Sequence, residues 1–263
     1  MQHVDALAAA RILVNARRSR VRLEALPAAV APADSHDAYQ IQDLVITCFG
    51  EQVGGWKVGA THANSQAALG TTGPVAARLF AASLHPYDGS TAVVLPDNLL
   101  VRGLEAEYAF LLGEDLSAQC APYTRAQVLA AVASVHPSIE VVDTRFKQMP
   151  TGDTVIADNV GDCAWIYGAG VEDLSAVDML GAEVVMEVNG EAVVVGNGAE
   201  VLGDPITSLL WLVNQHASKR EGLRAGQFIT AGSCTGLFKA PADCRARATF
   251  TGLGTVEICF ETT

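Results

Sequence analysis

Glu105 and Glu107 stand two positions apart in the run from Leu104 to Leu112, which is otherwise apolar or aromatic and ends at Gly113-Glu114-Asp115. Read as a strand, the run sends successive side chains to opposite faces. Leu104, Ala106, Tyr108, Phe110 and Leu112 then share an apolar face, and the two carboxylates share the other, about 7 Å apart at Cα. Like charges on one side of a half-buried strand repel, and burying them unpaired is costly. A hard divalent cation such as Mg²⁺, Mn²⁺ or Ca²⁺ removes that cost, because it favours carboxylate oxygens. An edge strand showing two acids to solvent is the other reading of the same spacing.

A third carboxylate, Glu140, interrupts the apolar run from Ser138 to Asp143. A helix opened by Thr124, with Gln127 completing a capping box, should precede that run and carry Val128, Leu129, Val132 and Val135 on one face. If the two strands are neighbours, Glu140 returns beside the first pair. Otherwise it is a buried acid that pairs with the nearest following base, Arg145. Lys57 is one of only four lysines and sits in Gly54-Gly55-Trp56-Lys57-Val58-Gly59. Flanking glycines let a backbone approach a ligand closely or turn sharply, and a lysine so placed can have its pKa lowered and move protons. The alternative is a surface lysine on an edge strand.

Other candidates carry weaker signals. His136 precedes Pro137 near Glu140, where a structural histidine is the simpler reading of a possible metal ligand. Gly232-Ser233-Cys234-Thr235-Gly236 reads either as a loop offering N–H groups and hydroxyls to an anion or as an ordinary tight turn. No nucleophile elbow, P-loop or dinucleotide glycine pattern occurs in the required context.

Several elements must position these groups. A helix is expected from about residue 5 to 18, with Leu7, Ala8, Ile12 and Leu13 inward. A second, capped by Asp34 or Ser35, carries Ala38, Ile41, Val45, Cys48 and Phe49. Asn189-Gly190 between two valine-rich runs predicts a tight hairpin. Gly203-Asp204-Pro205 should open a helix that runs past His216 towards a stop at Gly222. Helices early and short strands later indicate an α+β domain with a mixed, rolled sheet. The expected division is a helical segment over 1–52 and a catalytic β-roll over 53–263.

Composition narrows the function classes. The chain has 263 residues, half of them hydrophobic and 17% charged, which is enough to bury a sizeable core. A formal net charge of −12 argues against nucleic acid and anionic membrane as partners. Six scattered cysteines show no zinc spacing and are expected as free thiols. Acidic and basic residues interrupt the early apolar stretch unlike a signal peptide, and no apolar run reaches the ~20 residues of a membrane span. A cytoplasmic location is expected.

The same pieces together resemble the 2-keto-4-pentenoate hydratase and 4-oxalocrotonate decarboxylase family of the fumarylacetoacetate hydrolase superfamily. The resemblance runs through Ala38-Tyr39-Gln40-Ile41-Gln42, Gly55-Trp56-Lys57-Val58-Gly59-Ala60-Thr61, Glu105-Ala106-Glu107-Tyr108-Ala109-Phe110 and Ile139-Glu140-Val141-Val142-Asp143-Thr144-Arg145. It continues through Ile156-Ala157-Asp158-Asn159, Val201-Leu202-Gly203-Asp204-Pro205, Trp211-Leu212-Val213-Asn214 and the glycine-rich stretch 226–235. It implies a mixed β-roll with N-terminal helices, assembled as a homo-oligomer. It also implies Mg²⁺ or Mn²⁺ on Glu105, Glu107 and Glu140, with Lys57 assisting proton transfer.

The implied reaction is addition of water to a 2-hydroxy-2,4-dienoate through an enolate that the ion stabilises, giving a 4-hydroxy-2-oxo acid. A 4-oxalocrotonate-type decarboxylase, an acylpyruvate carbon–carbon hydrolase and a non-catalytic oxo-acid binder are the alternatives. Two departures stand out. Val75, not an acid, follows Pro74, and Val160-Gly161 follows Ala157-Asp158-Asn159 where a serine is usual. Arg78, in what reads as a loop over Val75–Leu79, is a candidate to meet a substrate carboxylate, the alternative being an arginine on a solvent-facing loop, with Ser233 and Thr235 as further candidate substrate contacts.

Overall fold

The computed structural model describes residues 1–216 and 222–261. Helices α1 (His3–Ser19) and α2 (Ser35–Phe49) come first, followed by β1 (Val53–Gly59), α3 (Ala63–Leu69), β2 (Val75–Phe80), β3 (Leu84–Pro86) and β4 (Val93–Pro96). The middle of the chain holds β5 (Gly103–Leu112), α4 (Arg125–Ala130), β6 (Val132–Val142), α5 (Asp153–Ala157) and β7 (Asp162–Tyr167). The hairpin β8 (Val184–Val188) and β9 (Glu191–Gly196), α6 (Pro205–Trp211) and strands β10 (Phe228–Ser233), β11 (Phe238–Lys239), β12 (Arg245–Phe250) and β13 (Gly254–Glu261) complete it.

An eight-stranded mixed sheet runs β2-β1-β10-β5-β6-β7-β3, with β11 also on β5, and a five-stranded sheet runs β4-β13-β12-β8-β9. The fold is thus the α+β class, with curled sheets behind N-terminal helices. Tyr108, Phe110, Ile139 and Val141 on one face of the large sheet share a core with Met186, Ala246, Ala248, Val256 and Ile258 of the small one. Tyr108 meets Phe250 edge-to-face across that interface with ring centroids 5.1 Å apart, a contact worth about 0.5–1.5 kcal/mol beyond area burial. The opposite face of the large sheet is left for the acids. At the β2 end, α1, α2 and α5 pack on Val75, Ala77 and Val160.

Local signals explain most elements. Asp34 accepts the Asp37 N–H at the start of α2, and Gly50 ends that helix at φ +74° with its N–H on the Ile46 carbonyl. Asn189 and Gly190 both take positive φ in the β8–β9 turn, the conformation that a two-residue hairpin demands. Asp204 caps α6 and Pro205 occupies its first turn. The helix continues as a π-type turn over Leu212–His216, and the expected run onward to Gly222 crosses 217–221, outside the described residues.

Three expectations are corrected. The capping box of Thr124 and Gln127 forms, but α4 ends at Ala130, so Val132 and Val135 belong to strand β6. Their β-branched side chains suit the strand that Ala131 turns into. The buried side of α1 is Ala6, Ala9, Ala10, Leu13 and Val14, a small-residue stripe that lets α2 approach, while Leu7, Ala8 and Ile12 are only partly covered. The segment expected as a loop over Val75–Leu79 is strand β2, buried throughout and antiparallel to β1. No helix among the described residues is long and apolar enough to cross a membrane.

Candidate active site

The three carboxylates meet. Strands β5 and β6 are antiparallel neighbours, and their register sets Glu105 against Glu140 and Glu107 against Ser138. One carboxylate oxygen from each of Glu105, Glu107 and Glu140 lies within 4.8 Å of the others. Oxygens about 2.0–2.6 Å from a hard divalent ion span such a distance. Glu107 and Glu140 are each 1% exposed, and Glu105 is the partly accessible member.

Strand β10 lies between β5 and the lysine strand. It runs parallel to β1, pairing Lys57 with Thr230, and antiparallel to β5. Gly55 permits this closeness, since a Cβ there would lie 2.1 Å from the Phe228 carbonyl oxygen. A register shift between Thr230 and Ser233 marks a bulge. Gly232, at φ +111° in that bulge, turns its N–H onto Glu107 Oε2 at 3.3 Å. A Cβ at Gly232 would collide with Thr61.

Lys57 Nζ pairs with Glu140 Oε1 and donates to the Val160 carbonyl at 2.9 Å. Val160 is left-handed, as are its neighbours Asn159 and Gly161. That conformation costs an L-residue about 1–2 kcal/mol and needs external support. Asn159 supplies part of it by accepting the Arg78 N–H at 3.1 Å and donating to the Arg78 carbonyl at 2.8 Å. Arg145 pairs with Asp158 and donates to the Asp158 and Asp162 carbonyls at 2.6 Å. Asp162 also pairs with Arg17 of α1.

Electrostatics follow from burial of three acids against one base. Burial, then repulsion from Glu140, pushes the Glu105 carboxyl up to about 7, with Lys57 and Ser233 opposing. Burial and both neighbouring glutamates hold Glu107 well above the usual carboxylate range. Glu140 is raised by burial despite its ammonium partner. Burial alone would lower Lys57, but Glu140, Glu105 and Glu107 outweigh it and raise its pKa. Three clustered carboxyls thus face a single ammonium.

The other residues marked in the sequence are placed differently. The Ser233 hydroxyl lies close enough to Glu105 to favour its anion, and Thr230 does the same for Glu107, though neither hydroxyl makes a hydrogen bond of regular geometry. Thr235 is turned to the backbone, its hydroxyl accepting the Ala106 N–H at 3.2 Å and donating to the Gly236 carbonyl. Arg78 pairs in register with Trp56, so strand alternation puts it on the face opposite Lys57. Its guanidinium lies 4.5 Å from the Trp56 ring centroid and 2.8 Å from Asp43. The anion that the Gly232 loop serves is Glu107 itself. His136 is buried inside β6, with its ring nitrogens 2.8 Å from Ser134 Oγ and 2.9 Å from the Gly168 carbonyl oxygen. Arg145, read as a possible partner of Glu140, serves Asp158 and Asp162 instead.

Sequence reasoning missed the Gly232 N–H, the Thr230 hydroxyl and the Val160 carbonyl. The only signal for the last was Asn159 and Gly161, residue types that tolerate left-handed backbone. It also missed the wall beside Glu140. Trp165 is the register partner of Glu140 and stacks on Tyr167 at 5.2 Å, with Phe228 5.0 Å away.

A mixed roll with a buried Glu-x-Glu pair, a third glutamate on the adjacent strand and a lysine in contact with it defines a particular class of protein. The chain belongs to the fumarylacetoacetate (FAA) hydrolase C-terminal family, whose model matches residues 58–260. It is 30% identical over 236 residues to 2-keto-4-pentenoate hydratase 1 of Dechloromonas aromatica (strain RCB), covering 88% of each chain. It is 34% identical over 212 residues to 4-oxalocrotonate decarboxylase of Pseudomonas sp. (strain CF600), covering 79% of this chain and 78% of the other. The solved 4-oxalocrotonate decarboxylase from Pseudomonas putida G7, complexed with magnesium and adipate, superposes with a TM-score of 0.89 at 28% identity over 99% of both chains.

Proposed function

We propose that this chain is a divalent-metal-dependent hydratase that converts a 2-hydroxy-2,4-dienoate into a 4-hydroxy-2-oxo acid. The observation that carries this reading is the contact of Lys57 with Glu140 inside the three-carboxylate cluster. Glu105, Glu107 and Glu140 would hold Mg²⁺ or Mn²⁺, a reading supported by the gathering of three carboxylates around one ammonium. A bound ion supplies Lewis-acid polarisation of substrate oxygens.

The chain's own groups do the rest. Lys57 Nζ has three N–H donors, and two acceptors, Glu140 and the Val160 carbonyl, hold it in place. The remaining proton is free to pass to the diene. In balance, the dienol loses its O2 proton and gains one at C5. Water then adds its oxygen at C4 and a proton at C3. Trp165, Tyr167 and Phe228 form an aromatic wall that suits an uncharged tail and keeps bulk water out.

Decarboxylation of a 4-oxalocrotonate-type acid is the second reading, favoured by two observations. Val75 stands where the resemblance to the hydratases implies an acid, and it is 4% exposed at the start of buried β2. The superposition on the decarboxylase is also extensive. Hydration ranks first because Lys57 is the one cationic side chain that the described residues bring to the acid cluster, and Glu140 already occupies it. A dicarboxylate would need a further donor at its far end.

Incubation of a 2-hydroxy-2,4-dienoate with enzyme and Mg²⁺ or Mn²⁺ in ¹⁸O-labelled water tests the choice. The expected product carries label at C4. Release of CO₂ from 4-oxalocrotonate, with no labelled hydroxyl from any dienoate, assigns the second reading. As the resemblance implies, the protein is expected to run as a homo-oligomer in light scattering.

A further inference from the structure

We propose that Asn159 is a positioning residue that acts on Lys57 through the carbonyl of Val160. The inference rests on the proton-transfer role of Lys57 given above. Its basis is a short chain of contacts. Lys57 Nζ donates to the Val160 carbonyl at 2.9 Å. That carbonyl points into the roll because Asn159, Val160 and Gly161 take φ of +52°, +53° and +69° in succession.

A β-branched residue does not hold such a conformation unaided. It persists only where the surroundings over-determine it, and such sites cluster where geometry matters for chemistry. Asn159 is the residue best placed to impose it. Its amide makes two hydrogen bonds to the backbone of Arg78 in β2, as donor and as acceptor, and the side chain is 0% exposed. Strand β2 is the partner of the lysine strand, with Ala77 opposite Lys57. Asn159 therefore fixes the turn to the sheet one residue from the lysine's own register position. On the other side, Arg145 holds Asp158 and the Asp162 carbonyl.

The ammonium is thus suspended between Glu140 on one strand and Val160 on an irregular turn. Glu140 alone would leave Nζ free to rotate about the side chain. The second acceptor removes that freedom and sets the direction of the third N–H. Val160 matters here through its backbone, which is why replacing a hydroxyl residue by valine at this position is compatible with the role.

The test is Asn159→Ala, with Asn159→Gly as the companion that tolerates positive φ if the alanine variant is unstable. Two readouts are taken on the full-length protein. First, ¹⁵N-labelled lysine allows the Nζ resonances of the four lysines to be followed by NMR, with Lys57→Met identifying the relevant one. The wild type should show a slowly exchanging Lys57 Nζ, and the Asn159 variants should lose that protection. Second, kcat for a dienoate should fall by about 10²-fold, as for a small misplacement of a catalytic group. KM and Mn²⁺ affinity should change less than about threefold.

Unchanged Lys57 protection and kcat in a folded Asn159 variant would overturn the proposal. So would a loss of kcat matched by loss of Mn²⁺ binding, which would mark a collapsed site. If the wild type shows a protected Lys57 but turns over no dienoate, the proposed reaction fails while the positioning stands.

Discussion

Glu105 and Glu140 are Cα partners across the β5–β6 ladder, so two acidic side chains stand directly opposite each other on one face of the sheet. Like charges directly opposite destabilise a strand pair, and here a third acid and near-complete burial add to the cost. Lys57 offsets one charge. The remaining imbalance marks a place for a divalent cation and explains why the site would be a poor solution for stability alone.

Replacement of Glu107 by Gln should leave the fold intact, since the amide keeps size and can accept the Gly232 N–H. Metal affinity should fall by about 100-fold or more, because loss of a ligand should exceed the 10–100-fold typical of its supporting partners. Titration calorimetry with Mn²⁺ on wild type and variant measures this. Unchanged affinity removes Glu107 from the ligand set.

Lys57→Met should retain metal binding and lose turnover by roughly 10²-fold or more, the scale of a general acid–base group. Methionine matches the length of the lysine stem, so circular dichroism should be unaltered. A variant with near-normal kcat would return Lys57 to a purely structural role beside Glu140.

The metal-free protein should become less stable as pH rises from about 4.5 towards 7. Glu105 goes from 4.5 to about 7 on folding, and Glu107 moves in the same direction. Between the unfolded and folded values the native state binds more protons, so stability drops with increasing pH. Below that window the contribution is constant. Excess Mn²⁺ should flatten the profile and raise Tm most at the alkaline end. Thermal melts from pH 4 to 8, with and without metal, follow both effects.

Arg145→Met should destabilise the protein by about 3–5 kcal/mol, the usual cost of leaving a buried carboxylate unpaired. Asp158 and Asp162 both lose a partner, leaving Asp162 with Arg17 and the Asn159 side chain. Denaturant unfolding should show a lower midpoint with the slope unchanged.

Much of the site was legible because it follows strand alternation. Glu105 and Glu107 had to share a face once their run was a strand, whereas the glycine at 55, read as room for a ligand or a sharp turn, instead admits strand β10. Asn189-Gly190 and the Asp34 cap are local signals that nothing distant overrides. Arg78 was misplaced because a polar residue among alanines after Pro74 reads as loop. Its guanidinium is accommodated by Trp56, Gln42 and Asp43, partners from distant parts of the chain. The direction of the Val160 carbonyl was not legible beyond the hint of Asn159 and Gly161, since it is set by residues whose hydrogen bonds span 81 positions.

Strand β10 lies between the strands of Lys57 and of Glu105 and Glu107, yet it begins at Phe228. During synthesis the lysine and the acids therefore have no common sheet until the strand that begins at Phe228 has emerged. Long-range closure of this kind is slow compared with local hairpins. The three acids, carried on the adjacent strands β5 and β6, can therefore gather first, and the contact of Lys57 with Glu140 waits on the late strand that joins their sheet to β1.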